Sequence, residues 1–296
     1  MAGALLAQAT GGAPLFPAGP AASTLPVYAL DATCADPRFP ALAGPWAVGC
    51  GPLGLVDRAV FLPTNTLILF PEPMSSPCVS VGQVWEPGVA DRLLRLGPRT
   101  ATAEPAAPSP SPAGPCATAD GLLASQRADQ LSLGEKSGPR RQLPARPIGW
   151  SPLAIAAGWL AWVEAVAPGV PQVFVWDGQG AGKPLGAPGS RHVIGAGGRM
   201  AWIEPGHIAR WDPVRNAVER WPADTGFSAG LGFDGEIVCW ETRGARDVDL
   251  QCSDGLQVRG PGHQRAPSQW GPYLLHRAEG HTWLTTRAAT RAAGGS

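Results

Sequence analysis

The sequence predicts an all-β protein built as a single β-propeller of seven blades, and three observations lead there. The first is a segment that occurs twice. Gly158-Trp159-Leu160-Ala161-Trp162-Val163-Glu164 is followed shortly by Val173-Phe174-Val175-Trp176-Asp177. Forty residues on, Gly198-Arg199-Met200-Ala201-Trp202-Ile203-Glu204 is followed by His207-Ile208-Ala209-Arg210-Trp211-Asp212. Repeats of that length mark propellers or solenoids. The second is that the repeat extends both ways. With the Trp of each Ala-Trp-x-Glu segment as anchor, equivalent positions fall at Trp46, Trp85, Ser125, Trp162, Trp202, Trp240 and His276, separated by 36 to 40 residues. Seven repeats thereby fill residues 44–287, with six or eight blades the alternatives because the first and third repeats are weak. The third is the local period. Each repeat reads as short alternating apolar runs broken by Gly, Pro or Asp, and none holds a 3.6-residue period for three turns. A solenoid of this period needs helices; four short strands in about 40 residues make a propeller blade.

Taken in order, residues 1–26 form an N-terminal tail or leader remnant. Ala4-Leu5-Leu6-Ala7-Gln8-Ala9 matches the end of a signal peptide with a small-x-small cleavage site, without the basic region and full apolar region such a peptide carries. Val27-Tyr28-Ala29-Leu30-Asp31 copies the alternation of Val173 to Asp177. It is expected to complete the last blade, so that the ring is closed by an N-terminal strand and has no long open edge. The propeller then spans 27–290, and 291–296 are a small-residue tail. Gln83 to Gly88 with Leu93 to Leu96 aligns with Met200 to Trp211 over two strands and a turn. Residues 100–116, rich in Pro, Ala and Ser, have the composition of a linker. The 40-residue spacing from Trp85 to Ser125 leaves no room for an insertion, so they are read as the outer strand and loop of the second blade. A large ring in the middle of a strand fills the wedge between neighbouring sheets, each burying roughly 150–250 Å². The recurrent Trp is therefore core.

Composition removes several function classes. Lys+Arg and Asp+Glu are 23 each, so no surplus charge marks a nucleic acid or an anionic membrane as partner. The strongest apolar run, Leu67-Ile68-Leu69-Phe70, stops at Pro71, which excludes a spanning helix and leaves no transmembrane segment. The six cysteines contain no Cys-x-x-Cys pair, against zinc-ribbon and thioredoxin readings. Cys239 and Cys252 flank the turn Thr242 to Arg246 and face each other across a hairpin. Cys78 and Cys116 each follow a proline at equivalent places in neighbouring repeats, and Cys34 with Cys50 is the third pair. Disulfides imply an oxidising compartment, periplasmic or secreted; six buried free thiols in a cytoplasmic protein is the alternative.

Residues with chemical potential fail their context tests. Gly226-Phe227-Ser228-Ala229-Gly230 fits the Gly-x-Ser-x-Gly nucleophile elbow, with Asp249 or Asp254 and then His263, His276 or His281 following in hydrolase order. The elbow requires a helix after the serine, and Leu231-Gly232-Phe233-Asp234-Gly235 is a glycine-rich strand instead. In Gly178 to Pro184, Asp177 stands where a phosphate loop needs glycine and Pro184 where it needs a hydroxyl, which makes the stretch a turn. His192, His207, His263, His276 and His281 show no zinc spacing, His276 and His281 straddle a hairpin turn, and Asp247, Asp249 and Asp254 show no EF-hand spacing. Glu86, Glu164, Glu204 and Glu241 recur just past the anchors. They read as solvated turn residues worth ~0–1 kcal/mol each, or as an acidic rim for a basic partner or cation.

Trp176-Asp177 and Trp211-Asp212 at the ends of third-strand positions, with the Gly-x-x-Ala-Trp segments, resemble the β-propeller repeats of WD-repeat and TolB-like proteins. The long-range Gly-His of the WD repeat is missing, since Gly206-His207 lies only four residues before Trp211. That resemblance implies a binding platform. The expectation is thus a noncatalytic binding or scaffolding ring with a protein partner or small ligand. No catalytic, cofactor-binding or metal residue is assigned. An envelope hydrolase or lyase with its site in the funnel, and a structural subunit of a larger assembly, are the rival classes.

Overall fold

A computed structural model of the chain describes residues 22–31, 34, 39–75, 77–80, 83–86, 92–105, 116–119, 122–127, 130–135, 140–148, 153–225, 230–243, 247–259 and 262–287. These form seven four-stranded antiparallel sheets, and each of the first six takes its strands in sequence order. Blade 1 holds β2 (Ala41–Leu42), β3 (Trp46–Cys50), β4 (Val56–Phe61) and β5 (Thr66–Met74). Blade 2 holds β6 (Cys78–Ser80), β7 (Gln83–Glu86), β8 (Arg92–Leu96) and β9 (Ala101–Pro105). Blade 3 holds β10 (Cys116–Ala119), β11 (Leu122–Arg127), β12 (Gln130–Glu135) and β13 (Arg140–Pro144). Blade 4 holds β14 (Ala154–Ala156), β15 (Trp159–Ala167), β16 (Val170–Trp176) and β17 (Lys183–Pro184). Blade 5 holds β18 (Arg191–Ala196), β19 (Arg199–Glu204), β20 (His207–Asp212) and β21 (Ala217–Pro222). Blade 6 holds β22 (Leu231–Phe233), β23 (Val238–Arg243), β24 (Val248–Cys252) and β25 (Gln257–Val258). Blade 7 joins β26 (Arg265–Trp270), β27 (Tyr273–Ala278) and β28 (His281–Arg287) to β1 (Ala22–Pro26). The expected seven-bladed ring closed from the N-terminus is what the chain forms, and 101–105 supply the outer strand of blade 2 as expected.

The closing strand itself lies upstream of the expected one. β1 is Ala22–Pro26, paired from Ala22 against Arg287 to Pro26 against Trp283, whereas Tyr28–Leu30 form a 3-10 turn. Val27 and Leu30 alternate as a strand would but serve as a clasp. Both are buried among Ala47, Val60 and Leu275, and Asp31 accepts the Thr282 N–H (2.7 Å) and bonds His281 Nδ1 (2.8 Å). Periodicity alone does not separate a short strand from a turn with two buried residues.

Inner strands meet around the axis, where space is tightest. Ala154–Ala156 and Leu231–Phe233 are buried at every position, so they read as short apolar runs rather than alternating ones. A Cβ on Gly195 of β18 would stand 2.5 Å from the Ile155 carbonyl oxygen of β14, so only glycine lets these two inner strands approach.

Strand register corrects two of the anchors. Trp162, Trp202 and Trp240 are at most 2% exposed and each faces the preceding blade, as a wedge-filling ring should. Trp46 is instead the first residue of β3, where Trp159 stands in blade 4, and it packs on Phe61 at 5.4 Å. The anchor place in blade 1 falls on Gly49, and Leu30 fills it: a Cβ there would lie 2.7 Å from Leu30 Cδ2. Trp85 is one residue early in β7, so it turns to the other face and meets Leu123 of blade 3.

Cys34–Cys50 and Cys239–Cys252 are disulfides, the second between directly opposed residues of β23 and β24. Cys78 is also disulfide-bonded, and no described cysteine is free. The expected partner of Cys78, Cys116, has its side chain outside the described residues. Among the described residues no helix is long and apolar enough to cross a membrane.

Candidate functional site

Antiparallel blades give the ring two unlike faces. One carries the turns between first and second and between third and fourth strands. The other carries the second-to-third turns together with every blade-to-blade connection. Binding residues gather on connections that a rigid scaffold holds in place, which directs attention to this second face. Among the described residues of this face, blades 5 and 6 carry a connected set of polar groups.

Glu204 ends β19 there and is 4% exposed. The Trp202 indole N–H donates to it at 2.9 Å, the Arg220 guanidinium at 2.8 Å from β21, and the Ala187 backbone N–H from the connection out of blade 4. Burial would push its carboxyl up, but the guanidinium, the indole and the Ala187 N–H together hold it below the ordinary carboxylate value. Glu164 repeats the arrangement in blade 4, where the Trp162 indole donates at 3.1 Å. Both carboxylates stand two residues past their Trp, on the same strand face. Glu241 is one residue earlier in register, points toward blade 7 and accepts the Ala266 N–H at 3.0 Å; it is 3% exposed. Glu204 and Glu241 are therefore neither solvated turn residues nor an acidic rim. Each ties a strand end to a neighbouring loop or blade. The Glu86 side chain lies outside the described residues.

Around them the same logic continues. Arg191 donates to the Thr225 carbonyl, Thr225 Oγ1 accepts the Gly206 N–H at 2.8 Å, and His263 Nδ1 accepts the Val248 N–H at 3.1 Å. What this braced framework leaves exposed is a mixed-charge rim: Arg259 (71%) near Asp249 at 4.0 Å, and Arg243 (69%) near Asp224 (53%) at 3.7 Å. Burial, then the charge of Asp247, raises the Asp249 carboxyl above its ordinary value, with Arg259 opposing.

The structure disperses the hydrolase candidates. Ser228 lies outside the described residues. Asp249 and His263 are on the connection-bearing face, while Asp254 sits at the other end of blade 6, bonded to the buried Arg287 at 2.9 Å. His276 is buried within blade 7 and bonds Thr285, and His281 bonds Asp31, so the two do not meet. Asp254 is thereby also parted from Asp247 and Asp249. Among the described residues no group of three His, Cys, Asp or Glu is placed to hold a metal ion. Residues 178–182 form the turn before β17, as expected, with Arg141 donating to the Gly178 carbonyl. The aspartates of the two Trp-Asp pairs shape the turns after the third strands: Asp177 accepts the Gln179 N–H, and Asp212 accepts those of Val214 and Arg215 and pairs with Arg199 at 3.0 Å. Sequence reasoning missed the role of Arg220, whose only signal was its place on the outer strand opposite the Glu204 end of the blade.

No protein-family model matches the chain, and no curated protein matches it. Solved structures do. It is similar in fold to a catalytically inactive virginiamycin B lyase from Staphylococcus aureus with quinupristin (11% identity, 90% of this chain and 100% of the other, TM-score 0.55). It is similar to a chain of the mitotic checkpoint complex (13% identity, 97% and 99%, TM-score 0.56). YCF48 bound to D1 peptide is a third (16% identity, 92% and 98%, TM-score 0.51). With the sheet order and the shared extent of these chains, the protein is a single seven-bladed β-propeller.

Proposed function

We propose that the protein is a noncatalytic binding or scaffolding propeller, working in the periplasm or as a secreted protein. Its connection-bearing face at blades 5 and 6 receives a protein partner. The observation that carries the reading is the division of labour among the polar groups of that face. Those that are buried, Glu204 and Glu241, and the half-buried Arg191 are committed to holding loops and strand ends. Those that are exposed, Arg243, Arg259 and Asp224, form a rim of both signs on a rigid base. Such preorganisation lowers the ordering cost of binding, and paired rim charges set orientation and on-rate more than affinity. The Cys34–Cys50 and Cys239–Cys252 disulfides support an oxidising compartment. Of the similar rings, one holds a peptide, one belongs to a multiprotein complex and one is a lyase, so the fold leaves the class open and the site has to decide.

The test is site-resolved crosslinking in the native host, with a photoreactive residue at Arg259 or, on the opposite face, at Val214, which is 86% exposed. A defined partner crosslinked at Arg259, and bound about tenfold or more weakly by Arg243→Glu/Arg259→Glu, supports the reading. A partner crosslinked at Val214 alone, or binding indifferent to the double substitution, refutes the choice of face. The raised Asp249 carboxyl is a feature that favours a hydrolase or lyase instead. Turnover of an envelope substrate that Asp249→Asn abolishes would establish that rival.

A further inference from the structure

Blade 7 departs from its neighbours at the anchor position. Where blades 4, 5 and 6 place Trp162, Trp202 and Trp240, blade 7 places His276, 2% exposed and facing blade 6. In blades 4 and 5 the indole N–H is met by a carboxylate two residues on, Glu164 or Glu204. Two residues past His276 stands Ala278, so that acceptor is missing, and His276 Nδ1 is buried with no hydrogen-bond partner among the described residues. The other ring nitrogen, Nε2, lies 3.2 Å from Thr285 Oγ1 of β28, which in turn lies 2.9 Å from Thr24 Oγ1 of β1. The chain of contacts thus runs from the orphaned imidazole to the strand that closes the ring.

We propose that His276 makes ring closure acid-labile: protonating its imidazole favours a state in which β1 and the adjoining β28 peel away from β27 while the other blades stay folded. A charged imidazole carries two N–H donors. One reaches Thr285; the other is left buried without an acceptor. The charged groups on the elements around it are held elsewhere. On β28, Arg287 is bonded to Asp254, and His281 to Asp31 beside the closing strand. On β23 of blade 6, Glu241 accepts from Ala266, on β27 itself Arg277 donates to the Asp31 carbonyl, and Arg265 of β26 is exposed. Relief therefore requires water, and water has its shortest route where the sheet ends. β1 is paired on one side only, to β28. Burial lowers the folded-state pKa of His276 from 6.5 to about 4. The stabilisation from keeping it neutral is therefore whole above 6.5 and is lost as pH falls toward about 4, biasing opening by about tenfold at pH 5.5 and more below.

Hydrogen exchange read by mass spectrometry tests this, each peptide's rate being divided by its unstructured rate at the same pH. Between pH 7.5 and 4.5, peptides covering 22–31 and 281–287 are expected to lose protection about tenfold or more, while 159–176 and 199–212 keep theirs. His276→Gln removes the titration and should flatten the profile. Ala278→Glu supplies the acceptor that blades 4 and 5 possess and should also flatten it, by a different route. Loss spread evenly over all blades, a flat wild-type profile, or a loss that persists in both variants overturns the proposal. If neither variant folds, the wild-type profile decides alone.

Discussion

Replacing Glu204 probes whether the polar face is braced from within. Alanine at 204 strips an acceptor from three donors: the Trp202 indole, the Ala187 N–H and the Arg220 guanidinium. Breaking a fully buried ion pair costs 3–5 kcal/mol. Arg220 is 45% exposed, however, and can return to water, so its share is heavily screened. The two neutral donors cannot, and each buried donor left unmet costs about 1–3 kcal/mol. Glu204→Ala is thus expected to lose about 2–4 kcal/mol in urea denaturation at pH 7.5, and Glu204→Gln, which keeps an acceptor, about 1–2 kcal/mol. In double-mutant cycles, coupling of Glu204 to Trp202 (Trp202→Phe) should exceed coupling to Arg220 (Arg220→Gln), the latter staying below about 1 kcal/mol. The pH dependence has a fixed sign. The folded-state carboxyl is held below its ordinary 4.5, so its stabilisation is complete above 4.5 and lost as pH falls through the lower folded value. The gap between wild type and Glu204→Gln should be level from pH 8 to 5 and narrow only below 4.5. A Glu204→Ala variant within about 0.5 kcal/mol of wild type would return the residue to the solvated surface and refute the bracing argument.

Leu30→Ala should cost about 3–5 kcal/mol by thermal or urea melting, because it empties the place that the anchor ring fills in other blades and leaves Gly49 facing a void. Gly195→Ala should lose at least about 2 kcal/mol, since its Cβ meets the Ile155 carbonyl and can be admitted only by parting two inner strands. Removing the Cys239–Cys252 link, which closes a 13-residue separation, by Cys239→Ser/Cys252→Ser should lower stability by about 3 kcal/mol. Thiol titration of the unreduced, denatured wild type should then find no reaction at Cys34, Cys50, Cys239 or Cys252.

Architecture was legible because the ring repeats one packing problem, and the sequence repeats its answer. The match of Trp162 with Trp202 carried blade length, strand period and the burial of the ring. Reading failed where the answer changed form. Gly49 with Leu30 solves the same wedge with a residue from the connection before blade 1, and no local pattern announces a side chain arriving from elsewhere. Trp85 misled because a one-residue offset in β7 preserves composition while reversing the face. The four glutamates looked equivalent for the same reason. Only Glu164 and Glu204 share a register, and their partners, an indole two residues back and, for Glu204, an arginine 16 residues on, lie across strands rather than along them. Site chemistry was the least legible because it depends on which buried groups are already spent, and that is a property of the assembled sheet.

Blade 7 also sets a clock on biosynthesis. Thr24 and its partner Thr285 are 261 residues apart, a distance that takes roughly 13–50 s to synthesise at 5–20 residues per second. Throughout that interval Ala22–Pro26 is a strand without a sheet, emerging first and used last. Six blades complete themselves from consecutive sequence as they appear; the seventh waits for both ends. A cell making this protein must keep one short edge unspent until the last strand arrives, and any pause before β28 leaves an open ring with two unpaired edges ready for the wrong neighbour.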